Sequence, residues 1–167
     1  MIQRIISGGQ TGADRAALDW AIANNIQQGG WCPAGRRAED GVIPNLYCLH
    51  ETPQRDYRQR TKWNVRDSDA TLIITPAAEL TGGSRFTQEW AQKISRPCLH
   101  VFRCNEWPEW IRIFFETNSI AILNVAGPRS SGAAGIEHFV HEVLDEMLAR
   151  SSDKKRSYDI APKITIK

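Results

Sequence analysis

What constrains this chain most is the way it opens. Ile2-Gln3-Arg4-Ile5-Ile6-Ser7 is a short isoleucine-rich run, cut by Gly8-Gly9 and followed at once by Ala13, Ala16, Ala17, Trp20, Ala21 and Asn24 at helical spacing. A buried strand, a glycine turn and a helix in immediate succession place the next parallel strand across that helix, because parallel neighbours need a crossover. Thr11 and Asp14 stand at the helix start, where a capping side chain is expected.

The pattern recurs further along. Asp56 to Ser68 reads as a polar, Arg-rich helix, and Ala70 to Thr75 as a second buried strand stopped by Pro76. Gly82-Gly83 follow, with a helix from about Ser84 to Ile94 carrying Phe86, Trp90 and Ala91. Pro97 to Phe102 is a third strand, Trp107 to Glu116 a helix, and Ser119 to Val125 a fourth strand. Ile136, Phe139, Val140, Val143, Leu144, Met147 and Leu148 form the clearest helical stripe, a core-facing cover for the sheet. Between the first two units, Gly29 to Asn45 reads as a short strand at Trp31 and then a long loop, with another short strand at Tyr47 to His50. Strands alternating with helices at this spacing predict an α/β fold with a mainly parallel sheet covered on both faces.

With 167 residues, 41% of them hydrophobic and 24% charged, the chain has the balance of one globular domain large enough to need no disulfide or metal staple. Residues 1–150 are read as that domain. From Ser151 the composition turns polar, so 151–167 are read as a loose tail, with Ile164-Thr165-Ile166 as a candidate edge strand. Cys32, Cys48, Cys98 and Cys104 form no C-x-x-C pair and lack histidines at zinc-ligand spacing. The folded pattern begins at the N-terminus without signal-peptide features, and no apolar run approaches a membrane span, so reduced thiols and a cytoplasmic location are expected. A formal charge of +2 argues against a nucleic-acid-coating or membrane-surface protein.

Ligands of open parallel sheets bind outside the carboxyl ends of the strands, where helix N-termini offer unpaired backbone N–H groups. Gly8, Gly9 and Gly12 allow close backbone approach, and Gln10 and Thr11 add side-chain hydrogen bonds. The motif is neither the dinucleotide G-x-G-x-x-G nor the triphosphate loop G-x-x-x-x-G-K-[ST]. Thr81-Gly82-Gly83-Ser84, with Thr87, supplies a second candidate nest of donors, and two such turns at one end of a sheet make a two-lobed phosphate-binding site.

These blocks carry a resemblance. Gly8 to Arg15, Gly30 to Gly41, Arg60-Thr61 with Asn64 to Asp69, and Gly82-Gly83-Ser84 closely resemble the putative molybdenum carrier family, over about Ile5 to Gly127. That family is similar to the molybdenum cofactor carrier proteins and to a Rossmann-like superfamily that includes the "lonely guy" hydrolases and the DNA-processing protein DprA. The resemblance implies a doubly wound Rossmann-like fold, a homo-oligomer, and a pocket for a nucleotide-like or phosphate-bearing ligand, the molybdenum cofactor (molybdopterin) being the named candidate. The hydrolase relatives carry P-G-G-x-G-T-x-x-E. Here Gly82, Gly83 and Glu89 keep register, but Thr81, Arg85 and Phe86 depart from it.

The expected site therefore comprises Gly8, Gly9, Gln10, Thr11, Gly12 and Arg15 on the first turn and Gly82, Gly83, Ser84 and Thr87 on the second. Arg36 is the closing clamp, since an arginine fork binds oxyanions with two bonds. Its neighbour Arg37 is a further candidate, and Glu39 and Asp40 are close enough to pair with either arginine. Thr61 and Asn64 share a helix face and can reach a ligand or a neighbouring loop. Asp67 and Asp69 lie at the amino end of a strand, away from the crevice, and suit turn formation. His138 and His141 lack a third ligand, Cys32 suits packing, and Trp107 with Trp110 make an apolar patch for core or interface. The expected mechanism is binding, with no bond made or broken. The rivals are a phosphoribohydrolase acting on nucleoside monophosphates through Glu89, with Arg85 or Arg15 on the phosphate, and a nucleotide-sensing module.

Overall fold

The structure, a computed structural model, describes residues 2–159, with side chains through residue 149. In chain order the strands are β1 (Arg4–Ile6), β2 (Gln27–Cys32), β3 (Arg37–Ala38), β4 (Gly41–Val42), β5 (Leu49–Glu51), β6 (Ala70–Thr75), β7 (Cys98–Phe102) and β8 (Ile122–Ala126). The helices are α1 (Ala13–Ala23), α2 (Tyr57–Arg66), α3 (Gly82–Lys93), α4 (Trp107–Thr117) and α5 (Ile136–Asp159), with a short 3-10 turn at Ser130–Gly132.

Among the described residues, six strands form one sheet in the order β5-β2-β1-β8-β6-β7. All its pairings are parallel. Parallel strands covered on both faces are apolar along their length, and β6, Ala-Thr-Leu-Ile-Ile-Thr, is buried at every position. Helices α1 and α4 pack against α5 on one face, while α2 packs on α3 and β2 on the other. This is the doubly wound α/β arrangement. Its topology reads most simply from β8: the winding runs outward through β1, β2 and β5, and on the other side of β8 through β6 and β7. The direction of winding reverses beside β8, and the crevice of such a sheet opens at that point.

The main core joins Ile5, Leu72, Ile74, Leu123 and Val125 of the sheet to Ala13, Ala17 and Trp20 of α1 and to Phe139, Val140, Val143 and Leu144 of α5. Trp107 packs edge-on against the core residue Phe139 at 5.9 Å, and the half-buried Trp110 lies 5.2 Å from Phe102. A smaller core, Leu18, Cys32, Ile43, Tyr47 and Leu49, sits beneath the long loop.

Several boundaries shift from the sequence reading. The stretch read as loop contains the antiparallel hairpin β3–β4, whose two-residue strands are too short to show periodicity. Helix α3 begins at Gly82, not Ser84, because a first helical turn tolerates glycines that propensity would place outside it. Helix α5 runs to Asp159, past the composition change at Ser151. The candidate edge strand Ile164–Ile166 lies outside the described residues.

Candidate functional site

The first glycine turn joins β1 to α1, and four of its amide donors are already used. The Gln10 amide donates to the Asp14 carboxylate at 3.3 Å and the Thr11 amide to the Gln10 side-chain oxygen at 3.0 Å. The Ala13 amide donates to the Pro128 carbonyl and the Arg15 amide to the Gln10 carbonyl, each at 3.1 Å. Asp14, buried in the first turn of α1, places a carboxylate where an external anion would bind. The glycines serve packing: a Cβ on Gly9 would strike Leu49 and Ile43, and one on Gly12 would strike the Pro128 carbonyl and Ser130.

Neither Thr11 nor Arg15 is free for a ligand. The Thr11 hydroxyl donates to Glu39, and the Arg15 guanidinium donates to both Asp40 oxygens and to the Gly9 carbonyl. These bonds tie the β3–β4 hairpin to the turn. The Ser131 and Thr11 hydroxyls hold the Glu39 carboxyl below its usual pKa, and Arg15 does the same for Asp40. The Gln10 side-chain oxygen also accepts from the Glu39 amide at 2.9 Å.

The second turn is arranged differently. Helix α3 begins with no acidic residue in its first turn and no side-chain cap at Thr81. Its first amides therefore have neither a capping acceptor nor a resident carboxylate. A Cβ on Gly82 or Gly83 would meet nothing within 4 Å. The space they border is a cavity of about 550 Å³, walled by Thr75, Pro76 and Glu79 after β6, by Gly82, Gly83 and Ser84, and by Gly127 to Arg129 after β8. Tyr57 and Arg60 of α2 and Gln10 of the first turn close it. It lies at the carboxyl ends of β6 and β8, where the winding reverses. A volume of this size lies in the usual range for small-molecule sites, about 300–1,000 Å³.

Arg60 is the half-buried cation of the site. Its side chain is 15% exposed, it donates to Asp14 at 2.8 Å, and its guanidinium lies over Gly8 so closely that a Cβ there would overlap it. Its Nε has no hydrogen-bond partner among the described residues. Beside Arg60 a well of about 40 Å³ opens, lined by Asp14, Thr61, Asn64, Gly83, Thr87, Asn124, Ala126 and Gly127. Arg60, Gly83 and Gly127 line both spaces, so the well adjoins the cavity.

A family model described as the circularly permutated YpsA SLOG family matches residues 5–148. The chain belongs to that family. Among solved structures, a crystal structure named as a putative molybdenum carrier protein from Syntrophus aciditrophicus SB is 44% identical, with a TM-score of 0.83. The alignment covers 88% of this chain and 95% of that one. None of the curated proteins compared matches the chain.

In this SLOG family member the structure brings Gln10, Gly82, Gly83 and Ser84 to the cavity and Thr87 to the well. Gly8 borders the site only through Arg60, while Gly9, Thr11, Gly12 and Arg15 serve the turn itself. Arg36 does not close the cavity. It adopts a positive φ of 48° and gives its guanidinium to four carbonyls, those of Ile43, Pro44, Tyr47 and Leu49, at 2.9–3.1 Å. Glu39 and Asp40 pair with Arg129 and Arg15, not with Arg36 or Arg37. Glu89 is exposed and lines neither space, which leaves the hydrolase reading without its carboxylate at the site.

Arg60, Asp14 and Asn124 line the site although none was among the expected site residues: Arg60 and Asp14 stand inside motif blocks without an assigned ligand role, and Asn124 stands in no block. The available signal was the i, i+4 spacing of Arg60 and Asn64 on a helix rich in arginine. Asn64 itself is engaged, bonding both backbone groups of Trp31 at 2.8 and 3.0 Å. At the opposite end of the sheet the Asp69 carboxylate accepts from the Ala121 and Ile122 amides, the turn role expected of it. His138 pairs with Glu142 while His141 reaches the Ala16 carbonyl, so the two do not converge. Among the described residues no cluster of His, Cys, Asp or Glu has metal-site geometry, the four cysteines are free thiols, and no helix is long and apolar enough to cross a membrane.

Proposed function

We infer that this chain is a binding protein of the carrier type, which holds a phosphate-bearing, nucleotide-like small molecule with its anionic group on the N-terminus of α3. The molybdenum cofactor is the leading candidate, since the 44% identical structure bears the name of a molybdenum carrier. One observation carries the reading. Gly83 has an ordinary backbone φ and its Cβ position is open, so nothing in the packing calls for glycine there, yet it sits on a helix start without cap or carboxylate. Open glycines at an uncapped helix N-terminus suit close approach of an oxyanion, with the helix dipole and Arg60 supplying positive charge.

The residues present fit the molybdenum cofactor in its phosphate and heterocyclic parts. The phosphate matches the α3 amides, and Tyr57 adds an aromatic side chain to the cavity wall. No cysteine lines either space, so molybdenum would keep the sulfur ligands of the pterin itself. When bound, the cofactor supplies redox chemistry for a recipient enzyme; the residues of this chain bind, orient and shield it. A homo-oligomer, which the family resemblance implies, and a cytoplasmic location belong to the same reading.

Titration calorimetry with molybdenum cofactor, a guanine nucleotide and inorganic phosphate tests the proposal. Wild-type protein is expected to bind at least the cofactor or the nucleotide. Gly83→Val, which places a branched side chain in the cavity at little cost to the fold, is expected to weaken that binding by about tenfold or more while leaving the melting temperature near wild type. Binding that is unaltered in a folded Gly83→Val protein overturns the site.

A further inference from the structure

We propose that Arg129, on the cavity wall that follows β8, is the clamp of the anion site, its guanidinium closing over a phosphate seated on the α3 amides. The proposal rests on the binding reading above and adds the residue that gives the cavity its preference for a charged group.

Two cations line the cavity among the described residues, Arg60 and Arg129, and they differ in what they already hold. Arg60 donates to the buried Asp14 carboxylate at 2.8 Å, so part of its charge is offset before a ligand arrives. The Glu79 carboxylate, which also lines the cavity, faces Arg85 at 3.7 Å. Arg129 has one ionic neighbour among the described residues, Glu39, whose Oε2 lies 3.5 Å from the Arg129 Nε, beyond ordinary hydrogen-bond length. Glu39 is itself engaged more closely, accepting from the Thr11 hydroxyl, the Ser131 hydroxyl and the Ser131 amide. Among the described residues the Arg129 guanidinium makes no hydrogen bond, and its side chain is 60% exposed.

The backbone that carries this open fork is fixed. The Pro128 carbonyl before it accepts from the Ala13 amide at 3.1 Å, and its own carbonyl accepts from the Gly132 amide at 3.0 Å. After it, the Ser130 amide donates to the Thr11 hydroxyl at 3.3 Å. The Glu39 end of the pair is placed too, because the Glu39 amide donates at 2.9 Å to the side chain of Gln10, another residue of the cavity wall. Glu39 thus steadies the guanidinium without occupying its donors. An oxyanion clamp requires this combination: a planar fork binds two oxygens of one phosphate, and a stem already ordered loses little freedom when it does. Arg129 takes the task that Arg36, held by four carbonyls, cannot perform.

Guanosine monophosphate is titrated calorimetrically into wild-type protein and into Arg129→Gln, Arg129→Lys and Gly83→Val, each at two salt concentrations. Arg129→Gln is expected to weaken binding by about tenfold, the loss of a charge-assisted fork, and to make the remaining affinity less sensitive to salt. Arg129→Lys is expected to recover part of the affinity and the salt sensitivity, since it restores the charge but not the fork. A purely structural role gives a different pattern: both variants lose affinity alike, and the salt dependence stays as in wild type. That pattern overturns the clamp, and so does wild-type affinity in a folded Arg129→Gln protein. In either case, weakened binding in Gly83→Val keeps the cavity reading standing. If wild type binds neither guanosine monophosphate nor molybdenum cofactor, the binding reading falls, and the clamp with it.

Discussion

Arg36 and Arg60 carry the same side chain, and burial history separates their tasks. Arg36 lies in a glycine- and proline-rich stretch, where an arginine suggests a mobile clamp; in the fold it anchors that stretch through four carbonyl groups. Arg60 lies in a helix that looks solvated from its composition, and in the fold it reaches the crevice with an unpartnered Nε. Replacing Arg36 with Met removes every one of those bonds and leaves carbonyls of the small core short of donors. The expected loss is about 2–3 kcal/mol of unfolding free energy, read as a lower urea midpoint, with ligand affinity retained in the protein that remains folded. A loss of affinity at unchanged stability would instead make Arg36 a ligand clamp.

At the scale of elements, two helix starts that look alike in sequence differ in what faces them. Helix α1 supplies its own carboxylate in Asp14 and ties its turn to the β3–β4 hairpin, whereas α3 does neither. The hairpin clasp carries a pH signature. Glu39 and Asp40 have folded pKa values below their ordinary 4.5 and 3.8, so the unfolded chain binds more protons as the medium turns acid. Their stabilisation is complete above those ordinary values and is lost as pH falls through the lowered folded ones. Melting temperature should therefore drop below about pH 4.5, and Glu39→Gln with Asp40→Asn should flatten that limb. An acid limb unchanged in the double variant would remove the clasp from the account.

Long elements with periodic or continuous apolar residues, such as β6 and α5, were legible in the sequence because burial imposes their pattern. The alternation that makes the sheet parallel was legible for the same reason. Of the site, the glycine pair Gly82-Gly83 was legible as a turn next to a strand end. That Gly8 to Gly12 is closed by Asp14, Glu39 and Pro128 was not, since those partners come from three separate segments. Arg60 stands in a motif block, but its place in the crevice was hidden, because a helical arginine has no local mark that distinguishes a solvated position from a crevice.

For the whole molecule, the decisive fact is that β8, the last strand among the described residues, lies between β1 and β6, which make no pairing with each other. The sheet is therefore continuous only when residues more than a hundred positions apart have met, a topology that favours slow, cooperative folding. A chain ending at Asn118 should lack a cooperative urea transition even though it keeps five of the six sheet strands. A sigmoidal transition in that truncated chain, with native-like far-ultraviolet dichroism, would show that β8 is not the keystone. The same strand order positions the site: β8 separates the two glycine turns, and the loop that follows it forms one wall of the cavity.

The global charge of +2 fits this picture, because recognition falls to a few backbone donors, one half-buried arginine and the Arg129 clamp, and not to a long-range field. The most direct measurement is amide chemical-shift mapping of labelled protein during titration with molybdenum cofactor or guanosine monophosphate. The account predicts that the Gly82, Gly83 and Ser84 amides shift in a saturable way, together with the Arg60 Nε–H, while the Thr11, Ala13 and Arg15 amides, already bonded within the turn, move little. Saturable shifts concentrated at Thr11 to Arg15 and Arg36, with α3 silent, would contradict it.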